Sequence, residues 1–368
     1  MKMKKAASVC TAALMAAAML AGCTGGTSSK VASASSSADT ASSAVSSASA
    51  SAAAASSEDV KASSGTANSD GTYLVGVCQL VQHPALDAAT KGFEDELKAE
   101  FGDKVKFDEQ NAAGDASTAT QICQNLVSEN CDLILANATA SLQSAAAATS
   151  TIPILGTSIT EYGVALDISD FDGTVGGNIS GTSDLAPLDQ QAAMVSELFP
   201  DAKNVGIVYC SAEPNSKYQA DKVQEYLEKA GLTVTTYTFS DSNDVSSVVG
   251  EACSNNDVLY IPTDNTAASC TEAINNVAQP AGVPIVCGEE GIMAGCGVAT
   301  LSIDYYELGK TTGDMAIKIL KGESDISTMP IEYYQNPVKE YNPTLCEALG
   351  ITVPDGYKAY TPEEDSES

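Results

Sequence analysis

Between Gly71 and about Tyr360, short apolar runs alternate with segments whose apolar positions recur every three to four residues, the pattern of α/β proteins built on parallel sheets. Strands are expected at TYLVGVCQL, VKFDEQN, CDLILAN, IPILGT, NVGIVYC, LTVTTYTF, DVLYIP and VPIVCG. Helices are expected over Pro84 to Phe101, Ala116 to Glu129, Leu185 to Phe199, Ser216 to Ala230, Ala267 to Ala278 and Tyr305 to Leu320. Pro84 suits a first helical turn, where its missing N–H is not needed, and Gly231 suits a helix end. The alternation pauses from about Tyr162 to Asp184, a stretch rich in Gly, Ser and Asp that reads as a crossover rather than an element. Two βα-type lobes joined by a connection of this kind would place a cleft between their sheets, and ligands of open α/β sheets bind beyond the carboxyl ends of the strands.

The residues just after each strand are small and polar. They are Gln82 and His83 in VQHP; Asn137, Thr139 and Ser141 in ANATAS; and Ser158 and Thr160 in GTSIT. In the second half they are Glu213, Asn215 and Ser216 in SAEPNS, Asp264 and Asn265 in TDNTAAS, and Glu289 in EE. Each stretch leads toward a helix, so backbone N–H groups and positive dipole ends would face the cleft. The same residue types also serve simply as helix caps. His83 is the only histidine, and it can line the cleft or merely start a helix. Catalysis would need a triad or a GxSxG elbow and metal binding an HExxH or CxxC spacing; none is present, so no catalytic residue, metal or cofactor is expected.

Upstream, three lysines precede the short apolar core AALMAAAML, the form of a secretory leader. It ends in LAGC, which resembles a bacterial lipobox with Cys23 as the lipidated residue. Acyl chains worth about 0.8 kcal/mol per buried methylene would anchor the chain. Thr24 to about Asp70 is almost wholly Ser, Ala, Thr and Gly, a tether of roughly 35–40 Å on random-coil scaling. The formal charge of −30 argues against nucleic acid as a partner, and the absence of arginine removes the bidentate carboxylate clamp. Nine cysteines remain downstream of Cys23, mostly in apolar runs, where free buried thiols are expected; a Cys287–Cys296 disulfide is the alternative.

At HPALDAATKGFEDEL, EPNS, YIPTDNTAAS and SIDYYELGKTTGDMAIKILKGE the chain resembles the substrate-binding lipoproteins of ABC transporters that take tryptophan, phenylalanine or tyrosine. The resemblance covers about Tyr73 to Tyr360 and implies a type I periplasmic-binding-protein fold, two doubly wound parallel-sheet lobes with three crossings near Ile179 to Asp184, Ser302 to Asp304 and Met329 to Tyr333. The implied parts are a leader (1–22), an acylated cysteine with its tether (23–70), a first lobe (71–181 plus 302–329), a second lobe (182–301 plus 330–360) and an acidic tail (361–368). For an amino-acid ligand, Thr139, Ser141, Ser158 and Thr160 are candidates for the carboxylate. Glu213, Asp264, Glu289 and Asp304 are candidates for the ammonium group, with Asn215, Ser216 and Asn265 completing the set and Thr182 at the first crossing. The implied role is a monomeric, lipid-anchored receptor at the outer face of the cytoplasmic membrane. It would hand its ligand to a permease whose ATPase is a separate subunit, since no Walker A motif is present. A nucleoside or small-sugar receptor, a sensory or adhesive lipoprotein and a lipoprotein hydrolase remain rival readings.

Overall fold

The computed structural model describes residues 71–361; the leader, Cys23, the tether and residues 362–368 lie outside the described residues. The chain begins with β1 (Tyr73–Gln79), α1 (Pro84–Phe101), β2 (Val105–Asn111), α2 (Ala116–Ser128), β3 (Leu133–Asn137), α3 (Thr139–Ala148), β4 (Ile154–Ile159), α4 (Tyr162–Ala165) and β5 (Ile179–Ser183). It continues through α5 (Leu188–Leu198), β6 (Asn204–Cys210), α6 (Pro214–Lys229), β7 (Thr233–Phe239), α7 (Val245–Asn255), β8 (Val258–Ile261), α8 (Asn265–Ala268) and α9 (Thr271–Ala281). The remaining elements are β9 (Ile285–Cys287), α10 (Glu290–Cys296), β10 (Ala299–Ser302), α11 (Tyr305–Leu320), β11 (Glu332–Tyr333), β12 (Val338–Tyr341), α12 (Pro343–Leu349) and β13 (Lys358–Ala359).

The first sheet has the order β11-β5-β4-β3-β1-β2 and is parallel throughout. The second has the order β13-β12-β10-β9-β8-β6-β7, with β12 antiparallel to β10. Helices cover both faces of each sheet, so strands such as β3 and β8 are buried along their whole length, as their continuous apolar sequences require. In α1, Leu86, Ala89, Phe93 and Leu97 recur at helical spacing and are all buried. Asp115 caps α2 by accepting from the Thr118 N–H at 2.7 Å, and Gly282 ends α9 in the left-handed conformation.

The expected crossover from Tyr162 to Asp184 needs correction, because it holds both α4 and β5. The residues ISGTS of β5 lack bulky side chains but are buried between β4 and β11. This moves two boundaries. Since β5 runs to Ser183 and β11 pairs with it, 182–183 and 332–333 belong to the first sheet rather than the second lobe. The expected helix over Ala267 to Ala278 is broken into α8 and α9 at Ser269 and Cys270. The chain therefore crosses between lobes at 184–187, 303–304 and 334–337. Each crossing places one residue, Ala186, Ile303 or Tyr334, in a small apolar cluster with Ala85 and Ala89 of α1 and Tyr305 and Leu308 of α11. All nine cysteines here are free thiols, seven of them buried, Cys287 and Cys296 included. No helix among the described residues is long and apolar enough to cross a membrane.

Candidate functional site

Four neighbouring strands of the first sheet each present, at or beyond the carboxyl end, one buried polar atom without a hydrogen-bond partner. These are Asp184 Oδ1 after β5, Ser158 Oγ in β4, Asn137 Oδ1 ending β3 and His83 Nδ1 beyond β1. At about 4.8 Å per strand the row spans on the order of 14 Å. Buried polar atoms are nearly always paired, so a row of them where such sheets take ligands marks partners to be supplied from the cleft. Thr300 Oγ1 and Glu340 Oε2 are also unpaired but lie apart from the row, opposite one another on β10 and β12.

Local bonding fixes the character of these atoms. Asn137 Nδ2 donates to the Leu86 carbonyl and the Thr90 hydroxyl, both at 2.9 Å, and Thr90 in turn donates to Gln79 Oε1 at 2.6 Å. The Asn137 amide is thereby oriented with its oxygen, an acceptor, left over. Ser158 has a left-handed φ of 55° where the β4–β5 register slips, a conformation the strand adopts only locally. His83 occupies the N-cap position of α1 but makes no capping bond; its Nε2 instead lies 3.2 Å from Asn265 Oδ1 of the second lobe. The lobes therefore stand closed at this point, and α1 and α4 also meet α10 and α6 across the cleft.

Across the cleft the acids are held by their own lobe. Glu213 accepts from Asn265 N (3.0 Å) and Nδ2 (2.8 Å), from Thr266 N and hydroxyl (both 2.8 Å) and from Asn215 Nδ2 (3.2 Å). Asn215 and Ser216 also donate to the Thr263 carbonyl, at 3.2 and 3.3 Å. Asp264 caps α8, accepting from the Cys210 and Ala267 N–H groups at 2.7 Å. Glu289 caps α10, accepting from Gly291 N at 2.7 Å and Ile292 N at 2.5 Å.

Asp184 is not among the residues expected from the sequence, because it follows a strand, β5, that its small residues conceal. This carboxyl is 4% exposed, and its Oδ2 accepts from the Tyr305 hydroxyl at 3.1 Å. Burial pushes it up to about 6, with Glu289 adding to the rise and the Thr160 and Tyr305 hydroxyls opposing it. Burial also raises Glu289, against His83 and two backbone N–H groups. Burial and then Glu213 push Asp264 up to about 8. No lysine figures among the main influences on these three acids. The lobe junction is therefore a desolvated, acceptor-rich place with no lysine near its acids and His83 as the one basic side chain acting on them, which favours a cationic occupant.

Several candidates have other work. Gln82 is exposed. Ser141 is fully buried and accepts from the Cys78 thiol at 3.5 Å. The Thr182 hydroxyl joins those of Thr157 (3.3 Å) and Thr312 (2.8 Å), tying β5 to β4 and α11. Thr139 is buried at the first position of α3, and Thr160 is buried beside Asp184. Asp304, expected to face the cleft, is instead exposed and caps α11 by accepting from Glu307 N at 3.0 Å. Asp304→Ala should cost about 1 kcal/mol of stability in denaturant titration and leave ligand affinity unchanged. No group of three or more His, Cys, Asp or Glu among the described residues is placed to hold a metal ion.

Comparison with known proteins gives this cleft a context. The profile of the family described as ABC transporter substrate binding protein matches residues 74–363. The chain is 38% identical over 260 residues to a tyrosine-binding protein of Clostridioides difficile (strain R20291), covering 70% of this chain and 75% of that protein. Among solved structures it is similar to an ABC domain in complex with L-Trp from Streptococcus pneumonia, at 34% identity and a TM-score of 0.73, covering 77% and 96% of the two chains. A ligand-free, open substrate binding protein with adhesive properties from Clostridium difficile gives 35% identity, coverage of 78% and 99%, and a lower TM-score of 0.61. The better superposition on the ligand complex agrees with the closed His83–Asn265 contact.

Proposed function

The chain belongs to the ABC transporter substrate-binding proteins, with the type I periplasmic-binding-protein fold, and on that premise we propose that it captures an aromatic amino acid for an importer. The observation that carries the amino-acid reading is the pair of buried carboxyls at the lobe junction, Asp184 and Glu289, with no lysine among the groups acting on them. An ammonium group answers that deficit with charge and donors together. Ser158 and Thr139, with the N–H groups that open α3, are available to the carboxylate. The tyrosine and tryptophan of the two relatives support an aromatic side chain for the ligand.

In this role Cys23 carries the lipid anchor, the tether spaces the lobes from the outer face of the cytoplasmic membrane, and the closed monomer docks on a permease served by a separate ATPase subunit. Closure stores the ligand's binding energy in contacts such as His83–Asn265, so the permease meets a loaded form. The test is a melting-temperature panel on refolded protein stripped of carried-over ligand. A saturable rise of several degrees with aromatic amino acids alone is expected, because a ligand of the native state stabilises it by mass action. No rise with any amino acid, from folded protein, would sink the reading.

A further inference from the structure

We propose that His83 meets the ligand as a hydrogen-bond acceptor through Nδ1, so that the cleft selects an aromatic side chain carrying its own ring donor. This rests on the aromatic amino-acid reading and goes beyond it, since it separates tyrosine and tryptophan from phenylalanine. Glu213 receives the Asn265 Nδ2 at 2.8 Å and the Asn265 backbone N–H at 3.0 Å. A flipped Asn265 would set its carbonyl oxygen against the Glu213 carboxylate, so the amide has one tenable orientation. Its Oδ1 is thus the atom facing His83 Nε2 at 3.2 Å, and an acceptor there requires Nε2 to carry the proton. In the neutral imidazole the other nitrogen is then unprotonated. That nitrogen, Nδ1, is buried and has no partner.

The row gives the ligand a direction as well. Asp184 and His83 are its two ends, on β5 and β1 with β4 and β3 between them. With the ammonium group at the Asp184 end, the side chain extends toward His83, and the span of about 14 Å leaves room for an aromatic residue laid along the strand ends. A phenol O–H or an indole N–H can satisfy Nδ1. A phenyl ring leaves it unpaired in a closed cleft, and a site built around a buried polar atom rejects a ligand that strands it. Glu213 and Asn265 act as positioning residues, setting the tautomer without touching the ligand.

His83 is the only histidine in the chain, so protein labelled with 15N-histidine shows a single imidazole and its tautomer can be read directly. With phenylalanine bound at saturation, so that the lobes are closed on the Asn265 contact, the protein is expected to show protonated Nε2 and bare Nδ1, and Nδ1 should shift when tyrosine or tryptophan takes its place. Calorimetry is expected to place phenylalanine on the order of tenfold to a hundredfold weaker than tyrosine. His83→Phe should erase that difference, and Glu213→Gln, which loosens the Asn265 amide, should mix the tautomers even if His83→Phe fails to fold. A proton on Nδ1 in the closed, phenylalanine-bound protein, or equal affinity for phenylalanine and tyrosine in the unmodified protein, overturns the proposal alone. Failure of all three amino acids to bind folded protein overturns the parent reading.

Discussion

Replacing Gly309 by alanine lowers the melting temperature by about 5 °C or more, although alanine is the better helix former. Within α11 the change should gain about 1 kcal/mol of helix propensity. A Cβ at Gly309, however, would lie 2.0 Å from the Ala89 carbonyl oxygen of α1, and one at Gly92 would lie 2.1 Å from the Tyr306 carbonyl oxygen of α11. These are backbone contacts, which no side-chain rotation relieves, so the helices must separate at a cost of several kcal/mol. The lost packing includes Phe93 and Met315, both fully buried under the first sheet. Gly250 in α7 is the control, since its Cβ would meet only Val277 Cγ1 at 3.7 Å. Gly250→Ala should therefore raise the melting temperature. Equal signs for the two substitutions in a thermal denaturation series would refute the account. Ligand binding should also suffer in Gly309→Ala, because α1 starts at His83 and α11 starts at Tyr305, the donor to Asp184.

The α1–α11 contact shows what the sequence makes legible and what it hides. Both helices announce themselves, α1 by Pro84 and its apolar spacing and α11 by its own spacing, and the structure places both at the expected residues. That their backbones touch is invisible until the two are paired, since Gly92, Gly309 and Gly313 read as weak points of isolated helices. Apolar strands such as β1, β6 and β8 are legible for the reason that they are buried on both faces. β5, β11 and β13 are not. Their identity comes from partners rather than from composition: β11 and β13 are two residues long, and β5 is spelled with Gly, Ser and Thr.

The candidate site divides along the same line. Post-strand position located His83, Asn137 and Ser158, three of the four residues in the row of unpaired atoms along the first sheet, because the strands before them were legible. The fourth, Asp184, follows the strand that was not. Conversely, position alone could not tell a cleft-facing acid from a helix cap. Asp264, Glu289 and Asp304 all accept from backbone N–H groups at helix starts, and only burial separates the first two from the third. Position also cannot report amide orientation, so the Glu213–Asn265–His83 relay required the folded lobes.

Asp184→Asn should weaken amino-acid binding on the order of a hundredfold to a thousandfold while leaving the ligand-free protein as stable as before, or more so at pH 8. The two signs follow from one carboxyl. In the closed lobes burial pushes Asp184 up to about 6, whereas in the unfolded chain an aspartate titrates near ~3.9. Its folded value is raised, so its contribution to stability is full below about pH 4 and is lost as pH rises through 6. Asparagine removes that loss. An ammonium ligand needs the ionised form, so affinity is full above 6 and falls about tenfold per unit as pH drops below it. Breaking a desolvated charge pair typically costs ~3–5 kcal/mol, which sets the expected size of the effect. Titration calorimetry across pH 4.5 to 8 reads both consequences, with proton release on binding below pH 6 as the signature. A tyrosine analogue lacking the amine should bind the Asp184→Asn protein no worse than the unmodified one. If tyrosine itself does so, the ammonium group sits elsewhere, and Glu289, the other buried carboxyl acting on Asp184, becomes its counter-charge.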